Sequence, residues 1–517
     1  MRIRSLLFLV LMTLITASVF ANGSQESKST ASAAAAQNRS ITLVIESEPL
    51  SADPNDMERG DALVFAGDVC QTLTDIDPAN TDVTPLLATS WEQTNPTTWI
   101  FHLRKGVNFQ DGTPFNADAA VFSINRALNT KEITCTDKAK VAEQVKPAAI
   151  DPYTLQLTTN VPAPSLPREL AFVHMSSPTA TPAKEKTDRP VGTGPYKFVS
   201  WVRGQSITVE RWDGYWGPKP EVEKATVVFR GEPSVRAQMV TTGEADLAVP
   251  ITQEYATKDD RTKQFSIAST FYLRLPRYVA PMNDIRVREA VEYAIDKKDL
   301  ADKILGRTGI ATSQVLAQSN NGYIPSYTGP SYDPAKAKAL IAAAKADGVP
   351  VDRKIDFVAM TNQFAYSDQA MQYIVQNLQD VGFNINLQTV DPARWADILF
   401  HKYNVEQNPT ILAVKNRNPT GDASLTFTSY LDPKGCCSES KDTTLEGLIN
   451  TARQTADPKA RMEAFRAAAM YEYTKDISLV PIAELNGLLL ISKRIEYTPN
   501  AQTYGMQLKL ADIHFTK

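Results

Sequence analysis

The sequence predicts an α/β fold that is divided into more than one lobe, and three observations support this prediction. The chain has 517 residues, which exceeds the roughly 250–300 residues that one hydrophobic core usually supports. Residues 355–414 show strand, helix, strand, helix and strand patterns in turn, which is typical of a mixed sheet covered by helices. Residues 39–280 are instead richer in strand patterns and in Pro/Gly turns. We therefore expect the two halves to form different lobes.

The strands and helices are predicted from hydrophobic periodicity and from their end signals. One helix is expected over residues 283–306, where apolar residues recur at the i, i+3, i+4, i+7 spacing and Gly306 is placed to end it. A second helix begins after Asp333 and ends at Gly348, and residues 367–382 form a third. The predicted strands are residues 41–45, 99–103, 154–158, 225–230, 355–360, 384–389 and 410–414.

The amino-terminal segment has the composition of a secretory signal peptide, residues 1–21. A basic start precedes a short apolar run, and Ala21 provides a small residue at the expected cleavage point. The run is shorter than the roughly 20 apolar residues that a membrane-spanning helix needs. Residues 22–39 are rich in Ser and Ala and predict a disordered tether. The first cysteine is Cys70, so we expect no lipid anchor at the cleavage point and a periplasmic location in a cell with an outer membrane.

The charge balance excludes some classes of partner. The chain carries 54 Lys and Arg against 58 Asp and Glu, a net charge of −4. Removal of a basic leader makes the remaining chain more acidic. Nucleic acid and anionic membrane surfaces attract basic proteins, so neither is expected as a partner.

The cysteines predict neither a metal site nor a catalytic pair. Cys70, Cys135, Cys436 and Cys437 include no Cys-x-x-Cys spacing and have no histidine nearby in sequence. Disulfides can form in an exported chain, and a bridge between Cys70 and Cys135 is one alternative. A bond between the neighbours Cys436 and Cys437 is strained, so we expect each to meet a distant partner. The pairing stays open.

Residues 190–217, with the sequence PVGTGPYKFVSWVRGQSITVERWDGYWG, predict one strand-turn-strand unit. Gly192 and Gly194 make a tight entry, and residues 196–199 and 206–211 form the strands. A phosphate-binding loop needs a third glycine, or a lysine followed by a helix, whereas a strand follows here. The two glycines are therefore interpreted as structural.

This segment resembles the signature of the family 5 extracellular solute-binding proteins, the peptide and nickel receptors of bacterial ABC importers. Other segments agree with the family in order and spacing, and together they cover nearly the whole mature chain. These are residues 85–92 (PLLATSWE), residues 101–128 (FHLRKGVNFQDGTPFNADAAVFSINRAL), residues 283–309 (NDIRVREAVEYAIDKKDLADKILGRTG) and residues 332–337 (YDPAKA).

The resemblance implies a periplasmic binding protein-like fold, with two lobes of mixed sheet and helices around a hinged cleft. An extra subdomain is inserted into the first lobe. Carried onto this chain, lobe I is residues 40–76, 190–272 and 484–517, the inserted subdomain is residues 77–189, and lobe II is residues 273–483. The chain would cross between the lobes near residues 270–282 and 480–486.

The resemblance also suggests ligand-binding residues in the second lobe. In peptide-binding relatives an aspartate there pairs with the amino terminus of the ligand, and the nearest match is Asp422. The alternative is a turn aspartate, which the preceding glycine favours. Arg417 is a candidate partner for a ligand carboxylate. Arg394 and Trp395 follow a predicted strand end, where a cleft is expected, although Trp395 could equally be a core residue.

In the first lobe, the loop of residues 46–56 lines the cleft in relatives, and its candidate ligand-binding residues are Ser47, Glu48 and Leu50. Two groups of aromatic residues are weaker candidates for contact with a ligand. Trp212, Tyr215 and Trp216 could form a stacking wall, but a packing role is favoured; Phe364 and Tyr366 precede the third predicted helix.

Relatives of this family bind peptides, nickel chelates, haem, opines or oligosaccharides, so the family alone does not select the ligand. A peptide is the expected ligand, and an oligosaccharide or opine is the alternative. A bare nickel ion is disfavoured because the chain has only 4 histidines, which form no cluster in sequence. No cofactor or metal is expected. The implied partners are the permease and ATPase subunits of an ABC importer, with the receptor itself a monomer.

A secreted hydrolase is the competing class of function. The sequence contains no Gly-x-Ser-x-Gly and no His-Glu-x-x-His motif. A pair of carboxylates that meet in space is not excluded by sequence. The expectation is nevertheless a receptor without catalytic activity, which closes about a hinge on its ligand.

Overall fold

The structure is a computed structural model that describes residues 39–56, 65–77, 82–130, 145–400, 409–418, 420–499 and 508–517. The predicted signal peptide, residues 22–38 of the predicted tether and Cys135 lie outside these described residues. Among the helices that are described, none has both the length and the apolar character needed to cross a membrane.

Strands and helices alternate through most of the described chain. The strands are β1 (Ser40–Ile45), β2 (Thr74–Ile76), β3 (Val83–Pro85), β4 (Ala88–Asn95), β5 (Thr98–Leu103), β6 (Val145–Asp151), β7 (Thr154–Thr159), β8 (Tyr196–Val202), β9 (Ser206–Arg211), β10 (Lys224–Phe229), β11 (Leu247–Val249), β12 (Thr262–Arg274), β13 (Gly309–Ala311), β14 (Ile355–Met360), β15 (Ile385–Val390), β16 (Thr410–Arg417), β17 (Leu479–Ile491), β18 (Ile495–Glu496) and β19 (His514–Phe515). The α-helices are α1 (Ala66–Val69), α2 (Ala117–Asn129), α3 (Leu166–Glu169), α4 (Pro233–Thr242), α5 (Ile285–Ala294), α6 (Lys297–Leu300), α7 (Pro334–Ala346), α8 (Ser367–Asp380), α9 (Pro392–Leu399), α10 (Ala423–Tyr430), α11 (Thr443–Gln454) and α12 (Pro458–Tyr471).

The described strands form one large mixed sheet and smaller ones. The large sheet has the order β15-β14-β16-β12-β17-β11-β1-β10-β9-β8, with β13 also paired to β17. Its parallel pairs are β14 with β15 and β16, at one end, and β1 with β10 and β11, inside the other half. The strand, helix, strand, helix and strand pattern predicted for residues 355–414 is confirmed as β14, α8, β15, α9 and β16. Helices cover a mixed sheet, as the predicted α/β class requires.

The strands β12 and β17 connect two separate hydrophobic cores. They pair antiparallel along their length, from Thr262 opposite Leu490 to Arg274 opposite Leu479. Phe265 on β12 belongs to the core around β1, β9 and β10. Phe271, further along the same strand, belongs to the core formed with α5 and β14. The chain therefore passes between the two cores along β12 and returns along β17. The lobe boundaries given above stay a prediction.

A β-bulge interrupts the β12–β17 ladder between the two cores. Ser266 pairs with Asn486 and Ser269 pairs with Leu485, so two residues of β12 have no direct partner between them. One of them, Ala268, has a φ of 48°, which is the left-handed region that side chains other than glycine rarely adopt. Bulges bend a strand and redirect side chains, and they are common beside functional sites.

The hairpin predicted in residues 190–217 is confirmed as β8 and β9. Its entry glycines are structural because the backbone of α1 lies directly against them. A Cβ on Gly192 would stand 2.2 Å from the carbonyl oxygen of Val69, and one on Gly194 would stand 2.2 Å from that of Asp68. The Gln110 side chain fixes the same contact, donating to the carbonyls of Val69 at 3.1 Å and Gly194 at 3.2 Å. Close packing of two backbone segments is the reason for glycine here.

Gly194→Ala is expected to lower the free energy of unfolding by about 1–3 kcal/mol, because its Cβ has to displace backbone rather than a side chain. Gly67→Ala is the control, since a Cβ at Gly67 in α1 meets nothing within 4 Å. Urea unfolding followed by circular dichroism measures both variants. Equal stability of the two variants would contradict this packing explanation.

The prediction of a single helix over residues 283–306 is wrong, because the structure divides this segment into two helices. Helix α5 ends at Ala294, and the backbone at Ile295 is extended. Asp296 then begins α6, because its carboxylate accepts a hydrogen bond from the amide of Asp299 at 2.8 Å. A capping side chain of this kind starts a new helix and competes with continuation of the old one. The predicted helices after Asp333 and over residues 367–382 are confirmed as α7 and α8.

The loop that follows β1 is fixed to the part of the chain that contains α2. The carboxylate of Asp53 forms a buried ion pair with Arg126 of α2. It also accepts hydrogen bonds at 3.0 Å from the amides of Asn55 and Thr187. A buried ion pair is tolerated when further hydrogen bonds satisfy its atoms, as here. This anchor fixes the loop that follows Glu46, which lines the candidate site described below.

Candidate ligand-binding cavity

A cavity of ≈ 480 Å³ lies beside the β12–β17 ladder, between elements of the two cores. Its volume falls within the about 300–1,000 Å³ that is typical of small-ligand sites. Phe265, Ile267, Ser269 and residues 485–488 line it from the ladder; Glu46, Pro233, Arg236 and residues 249–252 line one wall; Thr308, residues 362–366, Lys415 and Arg417 line the other.

The charged lining of the cavity is mainly positive. Three cations, Arg236, Lys415 and Arg417, line it together with one carboxylate, that of Glu46. Arg236 is 1% exposed, and its guanidinium donates to the carbonyl of Pro250 at 2.8 Å. Burial lowers the pKa of Arg236, and the charge of Glu46 acts in the opposite direction. The guanidinium also donates to the carbonyls of Arg230 at 2.6 Å and Gly231 at 2.7 Å, so backbone oxygens hold it in place. Arginine keeps its proton in proteins, so a positive charge remains beside the cavity.

The strand β16 places two of the cations together. Successive side chains on a strand point to opposite faces, so Lys415 and Arg417 share one face and Asn416 lies on the other. Asn416 is buried and donates to Thr426 Oγ1 at 3.0 Å. Arg417 pairs in register with Ser269, beside the bulge of β12. Strand geometry therefore brings both cations to the end of β16 that borders the cavity.

The loop before α8 reaches across the cavity. Tyr366 Oη donates to Glu254 Oε2 at 2.8 Å and accepts from the amide of Gln253 at 3.2 Å. Burial, followed by the hydrogen bond to Glu254, raises the pKa of Tyr366 to about 12, so its hydroxyl keeps the proton that it donates. The loop holds φ of 51° at Asn362 and 64° at Tyr366. Such backbone strain persists only where the surroundings enforce it, and it is frequent at ligand sites.

A second long-range polar contact lies elsewhere in the chain. Arg168, in α3, donates from Nη1 to the carbonyl oxygen of Thr420 at 3.0 Å. Burial lowers the pKa of Arg168, while the nearby charge of Asp422 acts to raise it. The Tyr366–Glu254 and Arg168–Thr420 hydrogen bonds thus join segments that are distant in sequence.

Asp422 is held by this chain's own residues. It is 2% exposed, and Arg461 approaches it bidentately, with N···O distances of 2.6 and 2.8 Å. Asn321 donates to Asp422 Oδ2 at 2.8 Å. Asp422 Oδ1 caps α10, because it accepts a hydrogen bond from the amide of Ser424 at 2.9 Å. Burial alone would raise the pKa of Asp422, but Arg461 and the hydrogen bonds hold that pKa below its usual range. Asp422 is not among the residues that line the cavity, and its contact with a ligand amine stays a prediction.

Of the other second-half candidates, Arg417 lines the cavity, whereas Arg394 and Trp395 lie in α9 outside its lining. The indole of Trp395 donates to the carbonyl of Ala413 at 3.0 Å and packs against a hydrophobic core. This is the core role given above as its alternative. Arg394 is half-buried in the first turn of α9.

The candidates in the loop after β1 are not in the cavity lining, although their neighbour Glu46 is. Glu48 accepts from the indole of Trp201 at 2.6 Å and from the amide of Gly204 at 3.0 Å, so it fixes the loop to the β8–β9 hairpin. Leu50 is 65% exposed, and Ser47 is half-buried. A ligand contact for Ser47, Glu48 or Leu50 stays a prediction.

The aromatic residues divide into two groups. Gln71 joins Tyr215 and Trp216, donating to the Tyr215 hydroxyl at 3.0 Å and accepting from the Trp216 indole at 2.9 Å. This arrangement corresponds to the packing role that the sequence favoured. Phe364 and Tyr366 instead line the cavity. Phe364 and Tyr366, which were the weaker of the two aromatic predictions, are thus the aromatic residues that border the cavity.

The described cysteines give no metal centre. Within the described ranges, no three His, Cys, Asp or Glu residues are grouped so that they could hold a metal ion. Cys70 is buried, and burial raises the pKa of its thiol. The sulfur atoms of Cys436 and Cys437 lie 3.0 Å apart, so each has the other as its close neighbour, contrary to the expectation of distant partners.

Comparisons with known proteins found a family model and sequence relatives that match this chain. The sequence model of the bacterial extracellular solute-binding proteins, family 5 Middle, matches residues 82–432. The glutathione-binding protein GsiB of Shigella flexneri is 28% identical over 389 residues, which is 72% of this chain and 74% of GsiB. GsiB of Escherichia coli (strain K12) has the same identity and coverage.

Solved structures resemble the fold. The dipeptide binding protein from Pseudoalteromonas sp. SM9913, in complex with Met-Leu, has a TM-score of 0.76 at 19% identity and covers 92% of this chain and 100% of its own. DppA from Helicobacter pylori, in complex with the peptide STSA, has a TM-score of 0.75 at 20% identity, with 92% and 98% coverage. At these identities the likeness concerns the fold, which is that of periplasmic binding proteins. The chain belongs to the family 5 bacterial extracellular solute-binding proteins.

Proposed function

We propose that this solute-binding protein captures a short peptide with net negative charge in the ≈ 480 Å³ cavity and delivers it to the permease of a bacterial ABC importer. The observation that carries the proposal is the cavity itself. It lies between elements of two cores, which is where hinged receptors bind small ligands. Its lining of Arg236, Lys415 and Arg417 against Glu46 favours a ligand with more carboxylates than amines.

The named ligands of similar proteins support a peptide. GsiB is named for glutathione, which is an acidic tripeptide, and two of the similar structures contain the peptides Met-Leu and STSA. An oligosaccharide or an opine remains the alternative, and a similar structure holds agropinic acid. The cationic lining favours an acid over a neutral sugar, because a positive potential is complementary to an anionic ligand.

Closure about β12 and β17 is the proposed mechanism of capture. The contact of Tyr366 with Glu254 joins the loop before α8, which lines one wall of the cavity, to the segment that follows residues 249–252 of the other wall. Only a ligand that binds the closed state better than the open state shifts the population between them. Ligand contacts on both walls supply that difference in affinity.

The remaining parts of the proposal concern location, partners and chemistry. We propose an exported, periplasmic receptor that acts as a monomer and has no catalytic activity of its own. A secreted hydrolase is the competing class of function. Mass spectrometry of a bound peptide after prolonged incubation separates the two, since a receptor returns the peptide intact and a hydrolase returns fragments.

Thermal unfolding in the presence of candidate ligands tests the proposed function. Glutathione and Ala-Glu represent acidic peptides, Met-Leu represents neutral ones, and sucrose represents neutral sugars. A ligand present at 100 times its Kd stabilises the folded state by about 2.7 kcal/mol, and we expect this for acidic peptides. Stabilisation by sucrose and by none of the peptides would contradict the proposal.

A further inference from the structure

Two cysteines that are neighbours in sequence hold their sulfur atoms in contact, away from the cavity. The sulfur atoms of Cys436 and Cys437 lie 3.0 Å apart. A disulfide bond is about 2.05 Å long, so the two atoms need to approach by only about 1 Å to be joined. Cys436 is exposed, whereas Cys437 is 2% exposed. The pair therefore offers one sulfur atom to reagents in solution and keeps the second directly behind it.

Hydrogen bonds and close packing hold the backbone around this pair. The amide of Cys437 donates to the carbonyl oxygen of Ser429 in α10 at 3.0 Å, and its carbonyl oxygen accepts from Arg274 Nη1 at 3.0 Å. A Cβ on Gly435 would stand 2.4 Å from a backbone oxygen of α10, so the loop packs backbone against backbone on that helix. These contacts fix Cys437 and leave the adjustment to the exposed Cys436.

The adjacency of the two residues makes a bond between them easy to reverse. Cα atoms of neighbouring residues stand about 3.8 Å apart across a trans peptide bond, whereas disulfides usually join Cα atoms that are about 4.4–6.8 Å apart. Strained or exposed disulfides are reduced more readily than structural ones, and they are the labile and regulatory ones. We therefore expect this pair to exchange between a dithiol and a disulfide.

Cys70 provides a contrast within the same chain. It is 0% exposed, and burial raises the pKa of its thiol. The thiolate is the form that takes part in disulfide exchange, so Cys70 lacks both the access and the ionisation that the reaction needs. Among the described cysteines, the loop that carries Cys436 and Cys437 is where exchange is expected.

We propose that Cys436 and Cys437 form a redox modification site, which takes an exchangeable disulfide as its oxidant and gives a reversible bond between the two neighbours. The Cys436 thiolate attacks one sulfur of the oxidant, which forms a mixed disulfide and releases the other sulfur as a thiol. Cys437 Sγ then attacks Cys436 Sγ, which forms the internal bond and releases the second thiol. The two protons lost by the cysteines end on the two thiols of the oxidant. The chain is oxidised by two electrons, and the oxidant is reduced by two.

This modification does not depend on which ligand the cavity binds. A mixture of 2-mercaptoethanol and its disulfide is therefore a suitable redox buffer, because it contains no peptide. Cleavage by trypsin after Lys434 and Lys441 releases residues 435–441 (GCCSESK), which contain both cysteines and no other. A single peptide thus reports the state of the pair by mass.

Tryptic mapping of the folded protein at different ratios of the two buffer components tests the proposal. Thiols are trapped with N-ethylmaleimide before digestion. As the oxidised component increases, we expect the peptide of residues 435–441 to change from a doubly alkylated form to an unalkylated form. The unalkylated form should be lighter than the dithiol peptide by two hydrogen atoms. Cys70→Ser should leave this result unchanged.

The protein unfolded in urea is the matched control, because it has the same cysteines without the contacts that hold them. At one buffer ratio, the ratio of disulfide to dithiol should be roughly tenfold higher in the folded protein, since the fold holds the reacting atoms together. By the same thermodynamic cycle, the unfolding equilibrium constant of the oxidised protein should be roughly tenfold smaller than that of the reduced protein.

Four results would overturn the proposal. The peptide could stay doubly alkylated at every buffer ratio, or it could carry mercaptoethanol on Cys436 without forming the internal bond. It could also be linked to a peptide that contains Cys70 or Cys135. Equal ratios of disulfide to dithiol in the folded and the unfolded protein would show that the fold does not prepare the pair.

Discussion

Asp422→Ala is expected to lower the free energy of unfolding by about 3–5 kcal/mol, because it leaves the buried guanidinium of Arg461 without its partner. Arg461 is 7% exposed and Asp422 is 2% exposed, so water does not replace the lost contact readily. The same substitution removes the cap of α10 and the acceptor of Asn321. Urea unfolding of the ligand-free protein measures the loss. An effect on ligand affinity is interpretable only after this loss is known.

Two controls separate the ion pair from a general effect of substitution. The double variant Asp422→Ala with Arg461→Leu removes both charges and should recover part of the lost stability. Asp347→Ala removes a carboxylate that is 67% exposed and pairs with Arg286 at the surface, and it should cost less than about 1 kcal/mol. A loss below about 1 kcal/mol for Asp422→Ala as well would contradict the structural role of the buried pair.

The pair also predicts how stability depends on pH. The pKa of Asp422 in the folded protein is held below its usual range, so the unfolded state takes up its proton first as the pH falls. The stabilisation is complete above the unfolded pKa of about 3.9 and is lost as the pH falls toward the folded value. Asp422→Ala should therefore show a weaker loss of stability than the wild type between about pH 4 and pH 2 in urea titrations.

Arg417→Glu is expected to weaken the binding of an acidic peptide by about 100-fold, or about 2.7 kcal/mol. The substitution turns a cation of the cavity lining into an anion beside the proposed position of the ligand carboxylate. Isothermal titration calorimetry with glutathione measures the change, and Lys415→Glu should act in the same direction. If Arg417→Glu binds a peptide amide, which lacks the free carboxylate, more tightly than it binds the free peptide, the effect of the substitution lies at that carboxylate.

Arg203→Glu is the matched control for charge reversal. Its side chain is 57% exposed and pairs with the exposed Asp188 at 3.5 Å, and it lies outside the cavity lining. A change in long-range charge alone would weaken binding equally in Arg203→Glu and Arg417→Glu. Such an equal effect, or no effect in Arg417→Glu, would contradict a carboxylate site at the end of β16.

The local parts of the fold could be predicted from sequence. Residues 355–360 were predicted as a strand and form β14 with the same bounds, since periodicity and turn signals are short-range properties. The break at Asp296 was not predicted, because a capping aspartate and a helix-interior aspartate look alike in sequence. The register of β12 with β17, including its bulge, depends on pairing between distant segments, and no local pattern specifies it.

The candidate site was predicted less completely. Arg417 and Tyr366 were named and line the cavity, since strand ends and helix starts commonly border clefts. The partner of Asp422 is 39 residues away on another helix, so the sequence could not reveal that its charge is already neutralised. Glu46 and Arg236 were missed as ligand-site candidates, although a carboxylate directly after β1 was a usable signal. Arg236 belongs to no motif, and only the fold brings it to the cavity.

Native mass spectrometry tests the central claim most directly. The protein is purified without refolding from the bacterium that makes it, and mild denaturation then releases any carried ligand for identification. The account predicts one or a few short peptides with a free carboxylate and net negative charge, bound one per chain. A neutral sugar or a metal chelate released in the same proportion would contradict the assignment of an acidic peptide to this cavity.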